Sequence, residues 1–171
     1  EGMKMFLENR IAPDDPKREK VYNNFRANLD DILAAGERAR VPIVLSTVAV
    51  NLRDFPPFTA MPSLAAAAAS TSDLPQQAAR ATAAQTAGNW AGAIQAYERA
   101  LTIAPAHSDI EFRLGQCQLA LSNPVAARAW FSAARDHDAL PFRTDSRLNT
   151  IIEEAGRAQA NRGVHLVDGP A

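Results

Sequence analysis

The stretch that decides the fold is Gly88-Asn89-Trp90-Ala91-Gly92-Ala93-Ile94-Gln95-Ala96-Tyr97-Glu98-Arg99-Ala100-Leu101-Thr102-Ile103-Ala104-Pro105, because its pattern returns further along the chain. Ala127, Phe131 and Ala134 stand 34 residues after Ala93, Tyr97 and Ala100. A period of that length is the size of one helix-turn-helix unit stacked on the next. Alanine at the outer positions lets a neighbouring helix approach, and the ring of Tyr97 or Phe131 fills the groove between. Gly88, or Asn123-Pro124 in the second unit, makes the turn. The pattern predicts about four helices between Pro75 and His137, with Ala93, Tyr97, Ala100, Ala127, Phe131 and Ala134 as packing residues.

These intervals resemble about two tetratricopeptide units. The resemblance is incomplete in the first helix of the first unit, where Arg80-Ala81 stands in the places of Leu114-Gly115. It implies a helical surface that binds a peptide or another protein.

On either side the periodicity changes. From Asp15-Pro16 onward, Val21, Tyr22, Phe25, Leu29, Ile32 and Leu33 recur at helical spacing, predicting an amphipathic helix to about Ala39. Pro42 ends it, and the uncharged run Ile43–Val50 is expected to form a strand buried on both faces of a parallel sheet. After Leu140-Pro141-Phe142, Asp145 or Ser146 can cap a helix with Leu148, Ile151, Ile152 and Ala155 on one face. Gly163 stops it, and Val164–Val167 reads as a second strand, parallel to the first. Residues 1–58 and 141–171 are thus expected to be two parts of an α/β unit, 59–75 an alanine-rich linker or helix, and 76–140 a helical insertion.

The flanks resemble the SGNH (GDSL-like) hydrolase family, in the form that carries tetratricopeptide repeats inside the hydrolase domain. The likeness rests on Asn24-Phe25, Asn28-Leu29, Val44-Leu45-Ser46-Thr47-Val48, Asn51-Leu52, Pro56-Pro57-Phe58, Asp145-Ser146-Arg147-Leu148-Asn149 and Val164–Asp168. It implies an α/β three-layer parallel-sheet fold and a serine esterase or acyl hydrolase acting on an ester substrate. The family's Gly-Asp-Ser block is missing from these residues, and Asp168 is followed by Gly169-Pro170-Ala171 rather than by a histidine at the third place. Both ends therefore read as cut from a longer hydrolase. A peptide-binding repeat module is the alternative function.

Composition narrows the classes further. Net charge is −1, with nine basic and nine acidic groups in residues 1–60 and four of each in 141–171, so no basic face for nucleic acid is expected. No apolar run is long enough to span a bilayer. The three histidines lack metal-ligand spacing, and no cofactor motif is present, so neither a metal nor a cofactor is expected. Cys117, beside Leu114 and Leu121, reads as a buried inert thiol. Ser46-Thr47 lies within a strand rather than at a nucleophile elbow, and Asp30-Asp31 and Glu153-Glu154 read as solvated helix faces. Asn51, at a strand's carboxyl end, is the candidate pocket-lining residue, with a turn-forming role as the bland reading.

Nucleophilic ester cleavage needs a serine within reach of an oriented base and donors at the oxyanion. The 171 residues are accordingly expected to give no turnover of a short-chain aryl ester and no serine labelling by a fluorophosphonate probe. Labelling of any serine in the purified chain would overturn this expectation.

Overall fold

The computed structural model describes residues 6, 8–67 and 73–169. Part of the expected linker, including Ser70-Thr71-Ser72, lies outside the described residues, as does Pro170-Ala171. In chain order the elements are α1 (Lys17–Ala39), β1 (Ile43–Ser46), α2 (Leu64–Ala67), α3 (Leu74–Thr86), α4 (Trp90–Ile103), α5 (Ser108–Ala120), α6 (Pro124–Asp136), α7 (Ser146–Ala158), a 3-10 turn at Ala160–Arg162 and β2 (Val164–Val167). They fall into two compact units, one made of Glu1–Asp15 with Asn51–Phe142, the other of Pro16–Val50 with Arg143–Ala171. No helix among the described residues is long and apolar enough to cross a membrane.

In the second of these units α1 packs on α7, and α7 packs on both strands. Arg40, in the left-handed region at φ 54°, closes α1: its N–H donates to the Glu37 carbonyl and the following Val41 N–H to the Gly36 carbonyl. Asp145 starts α7: its Oδ1 accepts from the Leu148 N–H at 2.8 Å, while its Oδ2 accepts from the Tyr22 hydroxyl at 2.6 Å. One carboxylate thus caps one helix and ties down the other. Beneath it Tyr22, Leu29, Leu33, Ile151, Ile152, Ala155 and Val164 form the core. The apolar face of α1 is narrower than its sequence suggests, since Val21 and Ile32 are 56% and 63% exposed.

β1 and β2 are parallel neighbours, with Ile43 opposite Val164 and Ser46 opposite Val167. Both belong to a two-stranded sheet, which overturns the expected α/β three-layer parallel-sheet fold. The described residues are mostly helical. The physical reason lies in the strands themselves: burial alternates along β1, and Val44 and Val167 are 72% and 48% exposed. A strand of a three-layer sheet is covered on both faces, whereas only the face bearing Ile43, Leu45, Val164 and Leu166 joins the core here. The uncharged run also stops pairing early, because side chains take over its backbone groups. Asn149 accepts from the Val48 N–H and donates to the Val48 carbonyl at 2.8 and 3.0 Å, and the Thr47 hydroxyl donates to Asp168 at 2.8 Å.

In the other unit α3 packs on α4, α4 on α5 and α5 on α6. The two helical hairpins are joined by turns that repeat at 34 residues atom for atom. Gly88 N–H donates to Gln85 O and Asn89 N–H to Ala84 O; Ser122 N–H donates to Leu119 O and Asn123 N–H to Gln118 O. These are the reverse-turn bonds that satisfy a helix's last carbonyls, and they require a left-handed residue at each centre. Gly88 has φ 74° and Ser122 φ 60°. Asn89 then caps α4 by accepting from the Gly92 N–H at 3.0 Å, and Pro124 occupies the first turn of α6, where its missing N–H is harmless.

The segment before α2 is strapped to this unit by one buried carboxylate. Asp138, 1% exposed, accepts from the N–H groups of Phe58, Thr59 and Leu140 at 2.8, 3.2 and 3.1 Å. Leu52 packs against the core of Phe112, Ala127, Phe131 and Ala134.

Two outcomes are expected. Left-handed geometry costs an L-residue roughly 1–2 kcal/mol and glycine little, so Ser122→Gly should raise the unfolding free energy by about 1 kcal/mol. Gly88→Ala should lower it by a similar amount although no atom within 4 Å obstructs the added methyl; equal stabilities in chemical denaturation would reject this. The second concerns Tyr22, whose burial, then its hydrogen bond to and the charge of Asp145, push its hydroxyl up to about 12 from an ordinary 10.0. The native state then holds a proton that the unfolded chain has lost, so the contribution present below pH 10.0 disappears as pH rises towards 12. Across that window stability should fall more steeply in the wild type than in Tyr22→Phe, and parallel curves would exclude the linkage.

Candidate functional site

Two small residues shape the interior from which the site is built. In the second repeat Gly115 faces Phe131 so closely that a Cβ there would lie 2.5 Å from the ring. Ala81 takes the equivalent place in the first repeat and shares a core with Tyr97, Ala93, Ala100, Ile110, Leu114 and Cys117. All six repeat-packing residues named from the sequence, Ala93, Tyr97, Ala100, Ala127, Phe131 and Ala134, are buried. Cys117 is fully buried, and burial pushes its thiol up, away from reactivity.

Over this core lies a groove of about 530 Å³, lined by Arg53, Asp54, Gln85, Trp90, Gln116, Leu119, Ala120 and Phe131. Both repeats line it: Gln85 comes from α3, and its equivalent 34 residues on, Leu119, comes with Gln116 from α5. A hydrogen-bond relay crosses between them. The Tyr97 hydroxyl donates to Gln85 Oε1 at 2.7 Å, and Gln85 Nε2 donates to Gln116 Oε1 at 3.2 Å. Because the phenol proton is used in this way, the 3.2 Å contact between Thr82 Oγ1 and Tyr97 Oη has the threonine as donor. The relay therefore ends on the Gln116 amino group. Trp90, Leu119 and Phe131 supply the apolar surface, with Leu119 37% exposed.

The rim is made by the loop after Val50. Asn51 is exposed, and its Oδ1 accepts from the Asp54 N–H at 2.9 Å, forming the turn that presents Asp54. Asn51 is not among the groove's lining residues. Arg53 Nε and Asp54 Oδ1 form an exposed ion pair at 2.9 Å, which lowers the carboxyl and raises the guanidinium.

Other tempting residues are dispersed. His165 is exposed on β2. His107 precedes α5; burial pushes its imidazole down, and its Nδ1 has no hydrogen-bond partner among the described residues. His137 Nδ1 lies 2.9 and 2.8 Å from the two carboxylate oxygens of Glu111, which is only 4% exposed. Among the described residues no three such groups are placed to hold a metal. Ser46 donates its hydroxyl to the Thr47 carbonyl. A chain of edge-to-face rings, Phe6 to Phe142 to Phe58 to Phe55, runs along the same unit with centroids 5.1, 5.2 and 5.3 Å apart.

Sequence reasoning missed the groove. The signal available was the 34-residue correspondence of Gln85 with Leu119, because a packing period also repeats the face that does not pack.

Residues 84–141 match the family model of the tetratricopeptide repeat. That span runs from the last turn of α3 to the end of the second repeat and excludes the flanks on which the hydrolase resemblance was read, and nothing in the comparisons points to a hydrolase family. Neither the curated proteins nor the solved structures give a match to this chain. Where it can be compared with known proteins, the chain is thus similar to a tetratricopeptide repeat.

Proposed function

We propose that the repeat region is a protein-interaction module that takes a peptide segment of its partner into the groove beside Trp90 and Leu119. The observation that carries this reading is the groove itself, lined by side chains of both repeats, among them the apolar Trp90, Leu119 and Phe131. Its volume of about 530 Å³ lies within the roughly 300–1,000 Å³ usual for ligand clefts. Helical repeats expose such surfaces because each unit buries only its stacking faces. The match of residues 84–141 to the tetratricopeptide repeat supports the same reading. An ester substrate has no comparable support.

The test is selection of phage-displayed random dodecapeptides on the full chain, followed by titration of synthetic peptides into isotope-labelled protein. Shifts should concentrate on the Trp90 indole and the Gln85 and Gln116 side-chain amides, and Leu119→Asp should abolish binding. Failure to select any peptide, or shifts confined to other surfaces, would overturn the proposal.

A further inference from the structure

On the reading that this groove holds a peptide, we infer that it recognises an uncharged segment through one main-chain carbonyl oxygen and one apolar side chain. The direction of the relay carries the first part. Thr82 donates to Tyr97, Tyr97 to Gln85 and Gln85 to Gln116, so each acceptor inside the relay is already engaged. What remains at the open end is the Gln116 amino group, which has donors only. Tyr97, with no exposed surface, fixes the relay from below; reversing Gln116 would set its amino group against that of Gln85. The groove therefore offers a fixed donor and is complementary to an acceptor.

Charge decides which acceptor. Among the described residues the charged groups lining the groove are Arg53 and Asp54, and they are paired with each other at 2.9 Å. A ligand carboxylate drawn to Arg53 would meet Asp54 as a like charge, and a ligand ammonium drawn to Asp54 would meet Arg53. A peptide carbonyl oxygen avoids both. The same groove is lined by the apolar Leu119, which is 37% exposed, Trp90 and Phe131. A leucine- or methionine-sized side chain next to the bound carbonyl covers them and removes that surface from water.

The experiment uses the dodecapeptides selected on the full chain, acetylated and amidated, with affinity read by calorimetry. The selected sequences should share one large apolar position with uncharged neighbours. Replacing that residue by alanine, or making Gln116→Glu in the protein, should each weaken binding about tenfold or more, since the glutamate puts an acceptor where the donor stood. Gln116 is exposed, so the variant should fold, and Gln116→Leu should give the same loss without adding charge. A charged consensus, or unchanged affinity in both Gln116 variants while Leu119→Asp still abolishes binding, would overturn this inference and leave the groove reading standing. Binding insensitive to Leu119→Asp would overturn both.

Discussion

The ring of Phe131 lies so close to the first helix of its repeat that the helix has no room for a side chain at the point of contact. Gly115 provides the gap, and a single methyl there would stand 2.5 Å from ring atoms, well inside contact distance. The hairpin of α5 and α6, the burial of Ala127 and Ala134, and the seat of Leu52 against the same cluster all follow from that approach. In the first repeat Ala81 and Tyr97 share the equivalent core, and the alanine's methyl takes part of the space that glycine leaves open.

Exchanging phenylalanine for tyrosine between the repeats has a consequence beyond packing. A buried hydroxyl must be hydrogen-bonded, and the nearest partners of the Tyr97 hydroxyl are on the outward edge of α3. Satisfying the core thus orders Gln85, and Gln85 orders Gln116. The second repeat, with Phe131, has no hydroxyl to pass outward, and its equivalent of Gln85 is the apolar Leu119.

The unit built from Pro16–Val50 and Arg143–Ala171 follows a different rule. Its two strands are parallel and adjacent, as their shared apolar character implied, yet they are covered by helix on one face only. Asp145 organises it by serving α7 as a cap and Tyr22 as an acceptor in the same position. The hydrolase resemblance drew on the residues of this unit. What it implied about a three-layer sheet does not survive exposed Val44 and Val167, because valine is as compatible with an open sheet face as with a covered one.

The sequence by itself determined the helices, the 34-residue period and the parallel pairing of two short strands. Those features rest on local spacing: helical periodicity, glycine and proline at turns, and β-branched runs are readable without knowing what lies opposite. Tertiary structure alone decided how far each strand is covered, where Glu111 and Asp138 find their partners, and how the hydrogen bonds of Tyr97 are directed. Burial of Glu111 depends on His137, 26 residues away, and Asp138 is satisfied by amides about 80 residues back. Such contacts leave no periodic trace, because a lone polar side chain is tolerated inside only when a distant partner arrives, and no spacing rule announces its arrival.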